Sequence, residues 1–137
     1  MLTGRLLLAA TPLGQMTAQD LQRWAVDFPA PDNTTPVPAL LAGRTVAVGR
    51  DVGFCFTYAA NLQTLEQLGA RVVFFSPLDD AALPECDAVW LPGGYPELHT
   101  DRIAANTGMK ASLMAHVLPR KPLWAECGGM MAQFESI

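Results

Sequence analysis

The sequence predicts an α/β fold, an open parallel sheet with helices on both faces, and three observations support that. After residue 38, short β-branched and aromatic runs alternate with segments of helical periodicity, the pattern of a parallel sheet covered on both sides. The runs are Arg44–Arg50 (RTVAVGR), Arg71–Phe75 (RVVFF), Ala88–Leu91 (AVWL) and Pro122–Ala125 (PLWA). Three of them lead straight into glycine-marked loops, Asp51-Val52-Gly53, Pro92-Gly93-Gly94-Tyr95 and Glu126-Cys127-Gly128-Gly129. Loops at the carboxyl ends of the strands are where open parallel sheets bind ligands. With 137 residues, 50% of them hydrophobic, the chain is long enough for one domain with a core.

Taken in order, Met1–Gly14 places Arg5 before the apolar run Leu6–Ala10, which has the outline of a secretory leader. The charged region is minimal and no small-x-small cleavage site follows, so a buried strand is expected. Thr17 to Val26 reads as a short helix, with Thr17 as N-cap, Asp20 three residues on, and Leu21, Trp24 and Ala25 at helical spacing. FPAPDNTTPVP, from Phe28 to Pro38, neither continues a helix nor sustains a strand ladder and is a linker. Residues 1–38 therefore read as the tail of a preceding domain plus linker, and 39–137 as the sheet domain.

Within that domain Tyr58–Leu68 is a helix with Leu62, Leu65 and Leu68 inward, closed by Gly69. Asp79-Asp80 begins a loop. Leu98–Leu118 is helical with a break near Gly108, ended by Pro119, and Tyr95-Pro96-Glu97 opens it with proline at the first helical position. Met130–Phe134 starts another helix. Trp90, Trp124, Phe74 and Phe75 lie in strands and are core residues by type.

Charge and composition exclude several functions. A net charge of −4 offers no basic footprint for nucleic acid or an anionic membrane surface, and no apolar stretch reaches the roughly 20 residues of a bilayer span. Cys55, Cys86 and Cys127 form no C-x-x-C pair, and His99 and His116 stand in no metal-ligand spacing with them, so no metal site is expected. Three widely spaced cysteines cannot all be disulfide-bonded to one another, and a reducing, cytoplasmic setting fits them. There is no G-x-x-x-x-G-K-[ST] loop and hence no visible nucleotide site.

Cys127 is the candidate for chemistry. On a strand-to-helix turn it is lifted clear of the sheet, and small neighbours permit the strained conformation of a nucleophile elbow. The following helix N-terminus favours a thiolate, and the N–H of Gly128 points at the oxyanion of an attacked carbonyl. A small buried hydrophobe is the competing reading of the same cysteine, and it is the reading given to Cys55 and Cys86. Gly93 and Gly94 let a second stretch of main chain approach a ligand, or simply make a turn. Glu97 complements the helix dipole and is structural.

Together, Asp51-Val52-Gly53-Phe54-Cys55-Phe56-Thr57-Tyr58-Ala59-Ala60-Asn61-Leu62, Phe75-Ser76-Pro77-Leu78, Leu91-Pro92-Gly93-Gly94-Tyr95-Pro96-Glu97-Leu98 and Ala125-Glu126-Cys127-Gly128-Gly129-Met130-Met131 resemble the C-terminal glutaminase domain of the cobyrinic (hydrogenobyrinic) acid a,c-diamide synthases. The resemblance runs from about Leu40 to Phe134. It implies the flavodoxin-like fold of class I glutamine amidotransferases, incomplete at the C-terminus, with Cys127 as nucleophile and Gly94 and Gly128 as oxyanion donors beside Gly93. Glutamine is then the substrate of this domain and the corrin macrocycle that of a synthetase domain using ATP and magnesium. No cofactor is expected in this chain, and a homodimer is compatible with the family. Triad enzymes place a histidine after the cysteine, and none follows Cys127 here. The chain accordingly reads as a fragment, without glutaminase activity by itself. Cobyric acid synthase and nickel-sirohydrochlorin a,c-diamide synthase share this chemistry; a different cysteine hydrolase and a non-enzymatic flavodoxin-like binding module are the readings outside it.

Overall fold

The computed structural model describes residues 11–29 and 36–134. The chain divides into two compact units, Met1–Pro36 and Val37–Ile137. In the first, a short 3-10 helix, Pro12–Gln15, precedes α1 (Ala18–Gln22). Thr17 and Asp20 form a reciprocal capping box: the Asp20 N–H donates to Thr17 Oγ1 at 3.2 Å and the Thr17 N–H to Asp20 Oδ2 at 2.9 Å. α1 ends four residues before the expected Val26, and Leu21 and Trp24 are exposed. The strand expected over Leu6–Ala10 and most of the linker lie outside the described residues.

The second unit is a four-stranded sheet in the order β2-β1-β3-β4, every pair parallel. The strands are β1 (Thr45–Gly49), β2 (Arg71–Phe75), β3 (Ala88–Leu91) and β4 (Leu123–Ala125), within a residue of the sequence expectation. Period-two alternation sends Ala47, Phe75, Val89 and Leu91 to one face, where they pack with Cys86 and Met109. Val46, Val48 and Trp90 go to the other with Ala70, against half-buried Leu62 and Leu65. These leucines belong to α2 (Ala59–Gln67), which Gly69 closes with φ +91°, and Met109 to α4 (Thr107–Val117). The sheet therefore carries helices on both faces, as the strand and helix alternation required.

The Leu98–Leu118 segment is a 3-10 turn, Pro96–His99, then α3 (Thr100–Ala105) and α4. The break falls at Asn106, two residues before Gly108. Asn106 Nδ2 donates to the carbonyls of Pro77 (3.0 Å) and Asp80 (2.9 Å), and its Oδ1 accepts from Met109 N at 3.2 Å. A side chain that satisfies loop carbonyls while capping α4 fixes the chain direction there. Gly108 serves a close approach instead, since a Cβ on it would meet Ala81 O at 2.5 Å.

Two core assignments are corrected. Phe74 is 46% exposed on edge strand β2 and lies under the Arg50 guanidinium, 5.0 Å from the ring centroid. Trp124 is 67% exposed on edge strand β4. A groove of about 630 Å³ lined by Leu65 of α2, Trp90, Leu123 and Trp124 runs along that face. Among the described residues no helix is long and apolar enough to cross a membrane.

Candidate active site at the carboxyl edge of the sheet

β4 ends at Ala125, and the Glu126 N–H still donates to Leu91 O of β3 at 3.1 Å. The chain then reverses at one residue. Cys127 has φ +49° and ψ −121°, a region that non-glycine residues enter at a cost of about 1–3 kcal/mol. Its carbonyl accepts from Met130 N and Met131 N, both at 3.1 Å, and the Gly129 N–H donates to Glu126 O at 2.8 Å. These bonds start α5 (Gly128–Met131). Among the described residues the helix is a single turn, and it begins two residues before the Met130–Phe134 segment.

The turn is forced tight by what lies beneath it. A Cβ on Gly129 would stand 2.2 Å from Leu91 O, and one on Gly128 2.7 Å from Pro96 Cδ and 2.8 Å from Gly94 O. Only glycines admit that proximity, and the result is that Cys127 is exposed while Gly128 and Gly129 are buried. The Cys127 side chain rests against Gly93: a Cβ built there would lie 3.3 Å from Cys127 Cβ and 3.5 Å from Sγ.

The loop after β3 is pinned from the β1 side. Phe56 N donates to Gly93 O at 3.0 Å and Tyr95 N to Gly53 O at 2.9 Å. The Phe56 and Tyr95 rings meet edge to face, centroids 5.2 Å apart. Gly94 is so close to the Gly53 carbonyl that a Cβ would fall 2.1 Å from the oxygen. Cys127, Gly93, Gly94 and Gly128 thus converge. Among the described residues, the amides of Gly94 and Gly128 donate to no group of the chain. Two free N–H groups beside an exposed sulfur form a place where an anionic oxygen can be held.

Asp51 was given no task by the sequence, although Asp-x-Gly after a strand is an Asx-turn signal. Its Oδ1 accepts from Gly53 N (2.8 Å) and Phe54 N (3.1 Å), its Oδ2 from Ser76 Oγ (2.8 Å) and Leu78 N (3.0 Å). Cys55 departs from its expected role: it is exposed, in the segment that bridges to Gly93. Cys86 is buried, and burial pushes its thiol pKa up. It sits 3.8 Å from His116 Nδ1, while His116 Nε2 is 3.0 Å from Pro122 O, so Nε2 carries the proton and donates. This pair lies at the amino end of β4, away from Cys127. Among the described residues no group of three or more His, Cys, Asp or Glu side chains could hold a metal ion.

The family of CobB/CobQ-like glutamine amidotransferase domains matches residues 45–136. The chain belongs to that family. This amidotransferase chain is 46% identical over 131 residues to hydrogenobyrinate a,c-diamide synthase of Pseudomonas aeruginosa, covering 95% of the chain and 29% of that protein. It is 48% identical over 99 residues to cobyrinate a,c-diamide synthase of Herminiimonas arsenicoxydans, covering 72% of the chain and 23% of that protein. With the corresponding enzyme of Salmonella typhimurium the identity is 46% over 101 residues, 74% of the chain and 21% of the relative. The amidotransferase chain therefore spans less than a third of the length of these relatives. No solved structure gives a significant match.

Proposed function

We propose that this chain carries the glutaminase site of an a,c-diamide synthase acting on cobyrinate or hydrogenobyrinate, with Cys127 as the nucleophile. The observation that carries the proposal is the positive φ of Cys127 at the end of β4, next to the amides of Gly94 and Gly128, which donate to no group among the described residues. A strained, exposed thiol in a cluster of glycines whose Gly94 and Gly128 amides donate to no group among the described residues suits acyl transfer.

In this reading the Cys127 sulfur attacks the side-chain amide carbon of glutamine. A carbon–sulfur bond forms, and the carbonyl electron pair moves onto oxygen, where the Gly94 and Gly128 amides receive it. Collapse breaks the carbon–nitrogen bond, ammonia leaves with a proton, and a glutamyl thioester remains on Cys127. Water then hydrolyses the thioester to glutamate and restores the thiol. The histidine that shuttles these protons in triad amidotransferases belongs, on this proposal, to sequence outside the 137 residues. So do ATP and magnesium, whose chemistry is activation of the macrocycle's carboxylates; no residue described here forms a phosphate-binding loop. Three free thiols suit the cytoplasm as the setting.

The test is labelling by a glutamine-shaped chloroketone, with modified residues mapped by mass spectrometry. Cys127 is expected to be alkylated in preference to the exposed thiol of Cys55, and glutamine to protect it. Equal labelling of the two cysteines, unaffected by glutamine, overturns the proposal.

A further inference from the structure

We propose that Asp51 is the positioning residue of the oxyanion-binding amides, acting through the Gly53 carbonyl on the Gly94 peptide. This inference rests on the glutaminase reading above. The carboxylate sits at the carboxyl end of β1 and accepts four hydrogen bonds. Two, from Gly53 N and Phe54 N at 2.8 and 3.1 Å, fold residues 51–54 into a turn; two, from Ser76 Oγ and Leu78 N at 2.8 and 3.0 Å, clamp that turn to the loop after β2. Ser76 Oγ in turn accepts from Asp79 N at 3.0 Å and lies 3.4 Å from Asp79 Oδ2, so Asp51 Oδ2, at 2.8 Å, is the nearer acceptor for its proton.

What this turn holds is the Gly53 carbonyl. That oxygen accepts from Tyr95 N at 2.9 Å, and Gly94 packs on it without room for a Cβ. Gly94 then abuts Gly128: a Cβ on Gly128 would meet Gly94 N at 3.0 Å and Gly94 O at 2.8 Å. Asp51, Gly53, Gly94 and Gly128 therefore form one contiguous line of contacts that ends on the Gly94 and Gly128 peptides. The Asp51 carboxylate bonds to Gly53, Phe54, Ser76 and Leu78 and to neither the Gly94 amide nor the sulfur, so it acts on orientation and not on the reacting atoms.

The carboxylate is required as such. All four partners donate, so an amide in place of the carboxylate turns one N–H toward another. At the Oδ1 position it faces Gly53 N and Phe54 N, and at Oδ2 it faces Leu78 N. Asp51→Asn thus loosens the turn while nearly preserving its volume. A shift of an oxyanion donor by a fraction of an ångström to one ångström costs about ten- to a hundred-fold in rate.

The experiment compares two electrophiles on the 137-residue chain. The glutamine-shaped chloroketone reacts through a tetrahedral adduct whose oxygen needs the Gly94 and Gly128 amides, before sulfur displaces chloride. Iodoacetamide is displaced directly and forms no oxyanion. In Asp51→Asn the maximal chloroketone rate at Cys127 is expected to fall about ten- to a hundred-fold, with its half-saturating concentration and the iodoacetamide rate changed by no more than about two-fold, within the scatter of a spared site. Asp87→Asn, a carboxylate at the amino end of the sheet, is expected to leave both rates unchanged. Ser76→Ala, which removes one of the four bonds, is expected to show the same selective loss to a smaller extent and decides the matter if Asp51→Asn does not fold. An unchanged chloroketone rate, or an equal fall with both reagents, overturns the positioning role while the glutaminase reading stands. If the parent's Cys127 is labelled no faster than Cys55, both fall.

Discussion

The indole Nε1 of Trp90 donates to Glu126 Oε1 at 3.1 Å, tying the residue before Cys127 to the middle of β3. Trp90 is 8% exposed and Glu126 half-buried, so the bond is shielded and its loss leaves a donor without a partner. Glu126→Gln keeps an oxygen for the indole, and its urea midpoint is expected to stay near the parent's. Glu126→Leu strands the N–H and is expected to lower stability by about 1–3 kcal/mol. Equal midpoints for the Gln and Leu variants would show that the bond contributes nothing.

Asp87 gives a pH signature at the other end of the sheet. Its carboxylate accepts from Thr45 N at 2.8 Å and pairs with Arg44 Nη1 at 3.2 Å. The backbone hydrogen bond, helped by Arg44, holds its pKa below the ordinary carboxylate value. A depressed folded-state pKa adds stability that is present above the unfolded value of about 3.9. It is lost as pH falls through the folded value. The Tm of Asp87→Asn is therefore expected below that of the parent at pH 7, with the gap closing below about pH 4. A gap that persists unchanged at pH 2 would contradict this account.

Gly94 and Gly129 are expected to reject alanine for reasons of space. The new Cβ meets the Gly53 and Leu91 carbonyl oxygens at 2.1 and 2.2 Å, so the backbone must move, at a cost of about 1–3 kcal/mol or more. Gly43 has φ +74° with nothing within 4 Å of a Cβ, and Gly43→Ala is expected to cost only the roughly 1–2 kcal/mol of left-handed strain. Thermal melts of the three variants give the ranking. A Gly43→Ala variant less stable than Gly94→Ala would reverse it.

The strands were legible because a sheet buried on both faces leaves near-continuous apolar runs, as in TVAVG and AVWL. The elbow was legible because glycines crowd around one cysteine. Edge exposure was not. Phe74 and Trp124 have the composition of core residues, and only the position of their strands at either end of the order β2-β1-β3-β4 brings them to the surface. The helix break, expected near Gly108, is made two residues earlier by Asn106 bonding to two carbonyls near 80, contacts that no local pattern contains. Asp51 escaped notice because its partners at Ser76 and Leu78 are 25 and 27 residues away.

The last prediction concerns the complete enzyme and separates making ammonia from using it. If Cys127 forms the glutamyl thioester, Cys127→Ala removes the group without which no acyl-enzyme can exist, and alanine is smaller than cysteine at an exposed turn, so the surrounding contacts change little. Its positive φ persists with the backbone bonds from Met130 and Met131 to the residue 127 carbonyl. Glutamine-dependent amidation is therefore expected to fall by about three or more orders of magnitude. Amidation from added ammonium at high pH, with ATP and magnesium present, is expected to continue at close to the parent rate, because a site that consumes free ammonia has no use for the thiol. Following glutamate release and macrocycle amidation in parallel reads both halves at once. Loss of both activities in a variant with native circular dichroism would make Cys127 a structural residue and end the assignment. Retention of glutamine-dependent amidation would do the same by showing that another nucleophile opens the amide.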